Sequence, residues 1–144
     1  MPRIKLNIPN SPLVTLSIPV RITDINYGNH VGNNAFVAIL HEARAQWLHL
    51  YKYTELNIEG AGLIQADLAL EFKSEGFYGD IIDITISVGE ISNVSFELYY
   101  QFYTKRKDES ILLLLAKTGM VCYNYSLKKA IPIPEKLKQI LLAP

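Results

Sequence analysis

Eleven consecutive residues, Asp24-Ile25-Asn26-Tyr27-Gly28-Asn29-His30-Val31-Gly32-Asn33-Asn34, hold an acid, a histidine, two glycines and four asparagines. Of these, His30 is the group that can hold a ligand or shuttle a proton near neutral pH. The stretch runs directly into the one long helical pattern of the chain. A helix start carries unpaired N–H groups and the positive end of the helix dipole, so main chain alone can hold an oxyanion or a carbonyl oxygen there. The same composition also fits a structural turn, because asparagine and glycine accept positive φ and asparagine caps helices. A second acid, Glu42, follows His30 by twelve residues, with no other acid before Glu55. It falls two to three turns into the helical pattern, and a carboxylate facing a narrow, partly dry cleft suits a general base.

Those residues need elements on both sides to position them. Before the loop, Val14, Leu16, Ile18, Val20 and Ile22 alternate with Thr15, Ser17, Arg21 and Thr23, the period of a half-buried strand. Pro19 lacks an N–H and places that strand at or near a sheet edge. From Asn34 or Ala35 the period changes. Phe36, Leu40, Ala43, Trp47 and Leu50/Tyr51 recur at steps of three and four, predicting an amphipathic helix to about Tyr51. Ala35, Ala38, Ala43 and Ala45 give it a slim surface. After a polar loop from Asn57 to Gly62, alternation returns, with Ile64, Ala66, Leu68, Leu70 and Phe72 set against Gln65, Asp67, Glu71 and Lys73. Beyond a turn at 74–80, a third strand carries Ile82, Ile84, Ile86 and Val88, and a fourth, after a turn at Ser92-Asn93, carries Val94, Phe96, Leu98, Tyr100 and Phe102. A fifth runs from Ile111 to about Tyr125, and Glu135 to Leu142 reads as a short terminal helix. Four consecutive strands joined by hairpin-length connections imply an antiparallel sheet whose apolar face the long helix must cover. Strands of about eleven residues exceed the usual five or six, long enough to curl around a helix of roughly five turns. The expected class is α+β, a curled antiparallel sheet around one central helix.

With 144 residues, 49% of them hydrophobic, the chain reads as a single domain over 1–144 with room for a real core. Fourteen basic and fourteen acidic side chains cancel, and Lys105-Arg106-Lys107 runs straight into Asp108-Glu109. That is a hairpin tip in solvent and not a nucleic-acid footprint, which needs a net basic face. Cys122 is the one cysteine, in an apolar strand pattern, and reads as an inert core thiol in a reducing compartment. The absence of a signal peptide pattern and of an apolar run near 18 residues gives a soluble cytoplasmic protein as the expectation, without membrane insertion.

The run Arg21-x-x-Asp24-x-Asn26-x-x-Asn29-His30-Val31-Gly32-Asn33, followed by Glu42-Ala43-Arg44, resembles the signature of hotdog-fold acyl-CoA and acyl-carrier-protein thioesterases of the 4-hydroxybenzoyl-CoA thioesterase type. Their pattern reads roughly R-x-x-D-x-D-x-x-G-H-V-N-N, then E-x-A-R or a close variant, and the order of elements agrees along the whole chain. Two positions depart from it. Asn26 stands where many relatives have the aspartate that acts as base or nucleophile, and Gly32 where asparagine is usual. An amide takes no proton from water near neutral pH, which leaves Glu42 as the candidate base.

The resemblance implies hydrolysis of an acyl thioester, with CoA or a carrier protein as the leaving thiol and no cofactor or metal. In it, His30 contacts the thioester carbonyl or handles a proton, Asn26 positions the attacking water, and Asp24 takes a direct part or pairs with Arg21 or Arg44. Gly32, Asn33 and Asn34 bring the oxyanion-binding main chain to the substrate, the two asparagines also serving as helix caps. A homodimer, or a dimer of dimers, is implied as well, the cleft being closed by the partner's second strand around Leu63, Ile64, Gln65 and Asp67. Glu42 is also placed to pair with His41, Arg44 or Lys52, while His41 and His49 read as ordinary helix-surface residues. Tyr99, Tyr103, Tyr123 and Tyr125 fall on the polar parity of their strands, where they can form an aromatic patch for oligomer contact. A hydratase or dehydratase on the same fold, and a non-catalytic acyl-CoA-binding protein, remain as alternatives.

Overall fold

Phe36, Ile39, Leu40, Ala43, Trp47 and Leu48 fall on one stripe of a helix, and all six are buried. In the computed structural model, which describes residues 2–143, that helix is α1, Asn33–His49. It ends two residues before the expected Tyr51, because Leu50 and Tyr51 face solvent and Lys52 turns to a left-handed φ of 62°. The stripe packs on a six-stranded antiparallel sheet made of β1 (Pro12–Pro19), β2 (Gly62–Phe72), β3 (Ile81–Ile91), β4 (Ser95–Arg106), β5 (Glu109–Asn124) and a two-residue β6 (Lys129–Ala130). The strand order is β1-β3-β4-β5-β2, with β6 beside β5, and a second helix, α2 (Glu135–Leu142), closes the chain.

The core is built from rungs that run across the sheet. Ile84 pairs with Phe102 and Phe102 with Leu114, while Ile86 pairs with Tyr100 and Tyr100 with Ala116. All six side chains are fully buried, as alternation along each strand requires for the face turned to α1. Cys122 is buried on the same face.

The sheet has two different edges. At one lies β1, where Pro12 and Pro19 cannot donate to a further strand. That strand stops at Pro19, short of the expected Ile22, and residues Ile22–Asp24 form a single 3-10 turn that leaves Ile22 66% exposed. At the other lies β2, which no strand covers among the described residues. Its pairing with β5 skips a residue between Gln65 and Asp67, a bulge that inverts the parity of the strand. Leu63 therefore points inward before it and exposed Gln65 turns its amide oxygen to Arg44 on the same face, and after it Leu70 and Phe72 turn to α1, the Phe72 ring lying 6.1 Å from that of Phe36. The even alternation expected for Ile64 to Phe72 holds only past the bulge.

The turn after β2 is pinned by an ion pair that the solvated-tip reading of Lys105-Arg106-Lys107 did not foresee. Arg106 donates to Asp80 through Nε at 3.1 Å and through its terminal nitrogen at 2.5 Å, and also to the Glu75 carbonyl at 2.8 Å. Burial alone would raise the Asp80 carboxyl, but the Arg106 guanidinium and the Phe77 N–H hold it below its ordinary value. A carboxyl whose folded pKa is depressed contributes stability above its unfolded pKa and loses it as pH falls through the folded value. Asp80→Asn is thus expected to lower stability by about 2 kcal/mol at pH 7 and to flatten its decline below about pH 4. Urea midpoints of both proteins between pH 3 and 7 check it.

Candidate functional site

The loop before α1 is closed by its own side chains. The Asp24 carboxylate is buried and accepts from the Arg21 backbone N–H at 2.8 Å and from the Arg21 guanidinium at 3.2 Å, so it serves as the anchor of the 3-10 turn. Asn26 accepts through Oδ1 from the N–H groups of Gly28 at 2.9 Å and His30 at 3.4 Å, and donates its own N–H to the His30 carbonyl. This is the Asx-turn chemistry of a residue that fixes a loop. Asn29 takes the left-handed φ of 65° that the tight turn needs.

His30 is half-buried, with Nδ1 3.1 Å from the Val31 carbonyl. A carbonyl only accepts, so Nδ1 is the donor in that contact. A Cβ at Gly28 would lie 3.3 Å from Nε2, so the glycine makes room for the ring.

At the helix start Gly32 is the N-cap, in extended backbone, and no side chain caps it. The Gly32 N–H donates to the Asp24 carbonyl at 3.1 Å, and the first intrahelical bond is Phe36 N–H to the Gly32 carbonyl. The N–H groups of Asn33, Asn34 and Ala35 have no hydrogen-bond acceptor among the described residues. Asn33 and Asn34 are accordingly the first helical residues, exposed, and not the caps that sequence suggested. Three free donors at the positive end of a seventeen-residue helix make a place for a carbonyl oxygen or an oxyanion.

Glu42 lies elsewhere. Nine residues after Asn33, it is displaced about 13 Å along the axis from the helix start. Its carboxylate is exposed in the single chain and accepts from Gln46 at 2.9 Å; it pairs with none of His41, Arg44 or Lys52. Together with His41, Gln46 and His49 it forms the α1 wall of a cleft of about 640 Å³, whose opposite side is Tyr53–Leu56, Leu63 and Tyr125. Gly62 shapes this cleft, since a Cβ there would collide with the Tyr125 ring. The sequence-derived residues thus fall into two groups. Asp24, Asn26, His30, Gly32, Asn33 and Asn34 gather at the start of α1, whereas Glu42 and Leu63 share the cleft further along; Ile64 and Gln65 do not line it, Ile64 being half-buried and Gln65 exposed with its amide oxygen on Arg44.

Between α1 and β2 runs a polar network that the sequence reading passed over. Arg44 lies on the buried stripe and is 3% exposed. It donates from Nε to Glu55 at 3.3 Å, and from a terminal nitrogen to Gln65 at 3.0 Å and to the Tyr100 hydroxyl at 3.3 Å; that hydroxyl also meets Thr118 at 2.9 Å. Glu55 in turn receives His41 Nε2 at 2.8 Å. The available signal was an arginine one residue past Ala43 and four before Leu48, on a face otherwise apolar. Two other groups near the site are chemically quiet. The Tyr53 phenol is pushed up to about 12, chiefly by its hydrogen bond to Glu59, and burial pushes the Cys122 thiol up to about 11.

Residues 20–141 match the family model of the thioesterase-like superfamily. A 1,4-dihydroxy-2-naphthoyl-CoA hydrolase from Microcystis aeruginosa is 36% identical over 72 residues, 50% of this chain, and the match spans 49% of that protein, about half its length. Among solved structures, a 1,4-dihydroxy-2-naphthoyl-CoA thioesterase from Synechocystis superposes with a TM-score of 0.78 at 21% identity, covering 89% of this chain and 94% of that one. The 4-hydroxybenzoyl-CoA thioesterase of a Pseudomonas species superposes with a TM-score of 0.77 at 15% identity, covering 88% and 97%. Both have the same curled sheet around a helix.

Proposed function

Since the chain belongs to the thioesterase-like superfamily and has its hotdog fold, we propose that it hydrolyses an acyl-CoA thioester. The observation that carries this reading is the unsatisfied start of α1, where three N–H groups meet no acceptor among the described residues, beside a histidine whose Nδ1 is held by the Val31 carbonyl. The thioester carbonyl oxygen binds those N–H groups, which stabilise the negative charge that develops on it when water adds to the carbonyl carbon. His30 borders the carbonyl. Asn26 and Asp24 act at one remove, by holding the loop that presents it.

Glu42 takes the proton from the attacking water. The distance of about 13 Å along one helix separates it from its own oxyanion site, so each Glu42 serves a thioester held at the helix start of a second copy. A homodimer across β2 meets that need, and the edge that no strand covers among the described residues, with Leu68 partly exposed, supports this assembly; the segment from Pro2 to Leu6 lies only beside its far end, at Leu70–Lys73. Leu63 and Ile64 then line the acyl side of the cleft. A lone, buried thiol accords with a cytoplasmic setting.

CoA is preferred to a carrier protein as the thiol, and a hydroxylated aromatic acyl group to an aliphatic one, on the strength of the partial match to a 1,4-dihydroxy-2-naphthoyl-CoA hydrolase. Incubating the protein with a panel of aromatic and aliphatic acyl-CoA and acyl-carrier thioesters, and measuring free thiol, tests the proposal. Release is expected with at least one aromatic acyl-CoA. Tight binding of the whole panel with no thiol released would favour an acyl-CoA-binding protein, and hydration of an enoyl-CoA without thiol release a hydratase.

A further inference from the structure

Of the three histidines around the site, His30 on the loop and His41 and His49 on α1, only His41 is backed by a carboxylate among the described residues. Glu55 Oε1 lies 2.8 Å from His41 Nε2 and is itself held by Arg44 Nε at 3.3 Å. The line therefore runs from a buried guanidinium, through a carboxylate, to an imidazole that is 62% exposed on the cleft beside Glu42. Glu55 accepts the Nε2 proton, which leaves Nδ1 as the nitrogen free for chemistry; among the described residues it makes no hydrogen bond. A proton-transfer group whose orientation is set by a second residue, itself fixed by a third, is the arrangement that active sites use to hold an imidazole in one tautomer. An ordinary surface ion pair does not need a buried arginine to hold its acid.

We infer that His41 is a catalytic residue of the cleft, the general acid that protonates the departing thiol, with Glu55 and Arg44 as its positioning residues. The inference rests on the hydrolase reading above. In the forward step Glu42 accepts a proton as water oxygen bonds to the carbonyl carbon, and the oxyanion forms. On collapse the carbon–sulfur bond breaks, its electron pair leaves with sulfur, and the thiolate takes the Nδ1 proton of the His41 imidazolium. The proton on Glu42 and the vacancy on His41 then cancel through solvent, so no co-reactant beyond water is used. The titratable groups around His41 in the cleft are Glu42 and His49 of α1, Tyr53 and Glu55 of the following loop and Tyr125 after β5. Of these, Glu55 is the one that hydrogen-bonds to the ring.

An acid catalyst must be protonated, so its ionisation sets the alkaline limb of the pH dependence of kcat. The test measures kcat and KM across pH for the unaltered protein, His41→Gln and Glu55→Gln, with whichever acyl-CoA releases thiol fastest. Both positions are on the surface of the cleft, and each substitute keeps hydrogen-bonding capacity. His41→Gln is expected to lower kcat by about 100-fold, the modest end of acid–base effects because a thiolate already leaves readily, with KM little changed and the alkaline limb gone. Glu55→Gln keeps an acceptor but loses the carboxylate that orients the ring, so kcat is expected to fall by about 10-fold with KM little changed. Turnover by His41→Gln with the limb in place, or a Glu55→Gln variant whose kcat is unchanged, overturns this assignment alone. Absence of turnover by the unaltered protein overturns it together with the hydrolase reading.

Discussion

Replacing Glu42 with glutamine is expected to cut thiol release by about 10³- to 10⁴-fold while leaving the urea midpoint within about 0.5 kcal/mol of its original value. The small effect on stability follows from what Glu42 touches. It is exposed, and its one partner is Gln46, an i, i+4 neighbour that can bond to an amide as well as to a carboxylate. The large effect on turnover follows from the lack of a substitute. Glu55 is committed to Arg44 and His41, Asp24 to Arg21, and Asn26 is an amide whose oxygen already accepts two N–H groups. At 1.36 kcal/mol per decade the loss corresponds to roughly 4–5 kcal/mol of transition-state stabilisation. Retained turnover would remove Glu42 from the mechanism.

The same variant also tests whether the site is shared between copies. Asn33→Pro deletes one oxyanion donor at a helical position where proline is well accepted, after a Gly32 whose φ of −70° and ψ of 155° already suit a following proline. Alone it should lose about 10²- to 10³-fold. If Glu42 of one copy serves the helix start of the other, each mixed dimer of Glu42→Gln and Asn33→Pro chains regains one intact site, and activity returns on mixing. A site contained in one chain gives no such recovery.

How much of this was legible in the sequence depends on whether a position is decided locally or by its partners. Ile82 to Ile86, Phe96 to Phe102 and the stripe from Phe36 to Leu48 declare themselves by period, because each packs on one continuous face. The end of β1 did not, since Ile22 keeps the apolar parity although the capping of Asp24 onto Arg21 has already turned the chain. Nor did the bulge at Gln65/Asp67, for nothing in the spacing of Ile64, Ala66 and Leu68 shows that β5 opposes one residue fewer there. In the loop the residue types were readable but their tasks were not. Asn33 and Asn34 suit caps, yet Gly32 takes that place because its N–H is drawn to the Asp24 carbonyl. Asp24 and Asn26, rich in functional groups, spend them on the loop itself. The polar network was hidden for a different reason, because Glu55, Gln65, Tyr100 and Thr118 are brought to Arg44 only by the wrapping of the sheet.

Arg44→Met should destabilise the fold by about 3–5 kcal/mol, lowering Tm by roughly 10–15 °C in a chain of this size. Methionine fills much of the volume of the arginine stem, so the loss comes from what the guanidinium leaves behind. The Tyr100 hydroxyl is wholly buried and keeps only Thr118, Gln65 loses its acceptor bond, and the Glu55 carboxylate is left with His41 alone. Glu55 is still 24% exposed and can recruit water, which argues for the lower half of the range. Lysine is not a remedy, because a single ammonium cannot reach Glu55, Gln65 and Tyr100 from one position as the planar fork does. If an unpaired carboxylate is the main penalty, Arg44→Met combined with Glu55→Gln is less destabilised than Arg44→Met alone, although it carries one more substitution. Calorimetry of the two variants separates these cases: a single variant within 1 kcal/mol of the original protein would mean that the network orients the cleft without holding the fold, and an additive double variant would mean that packing, not charge, is what Arg44 supplies.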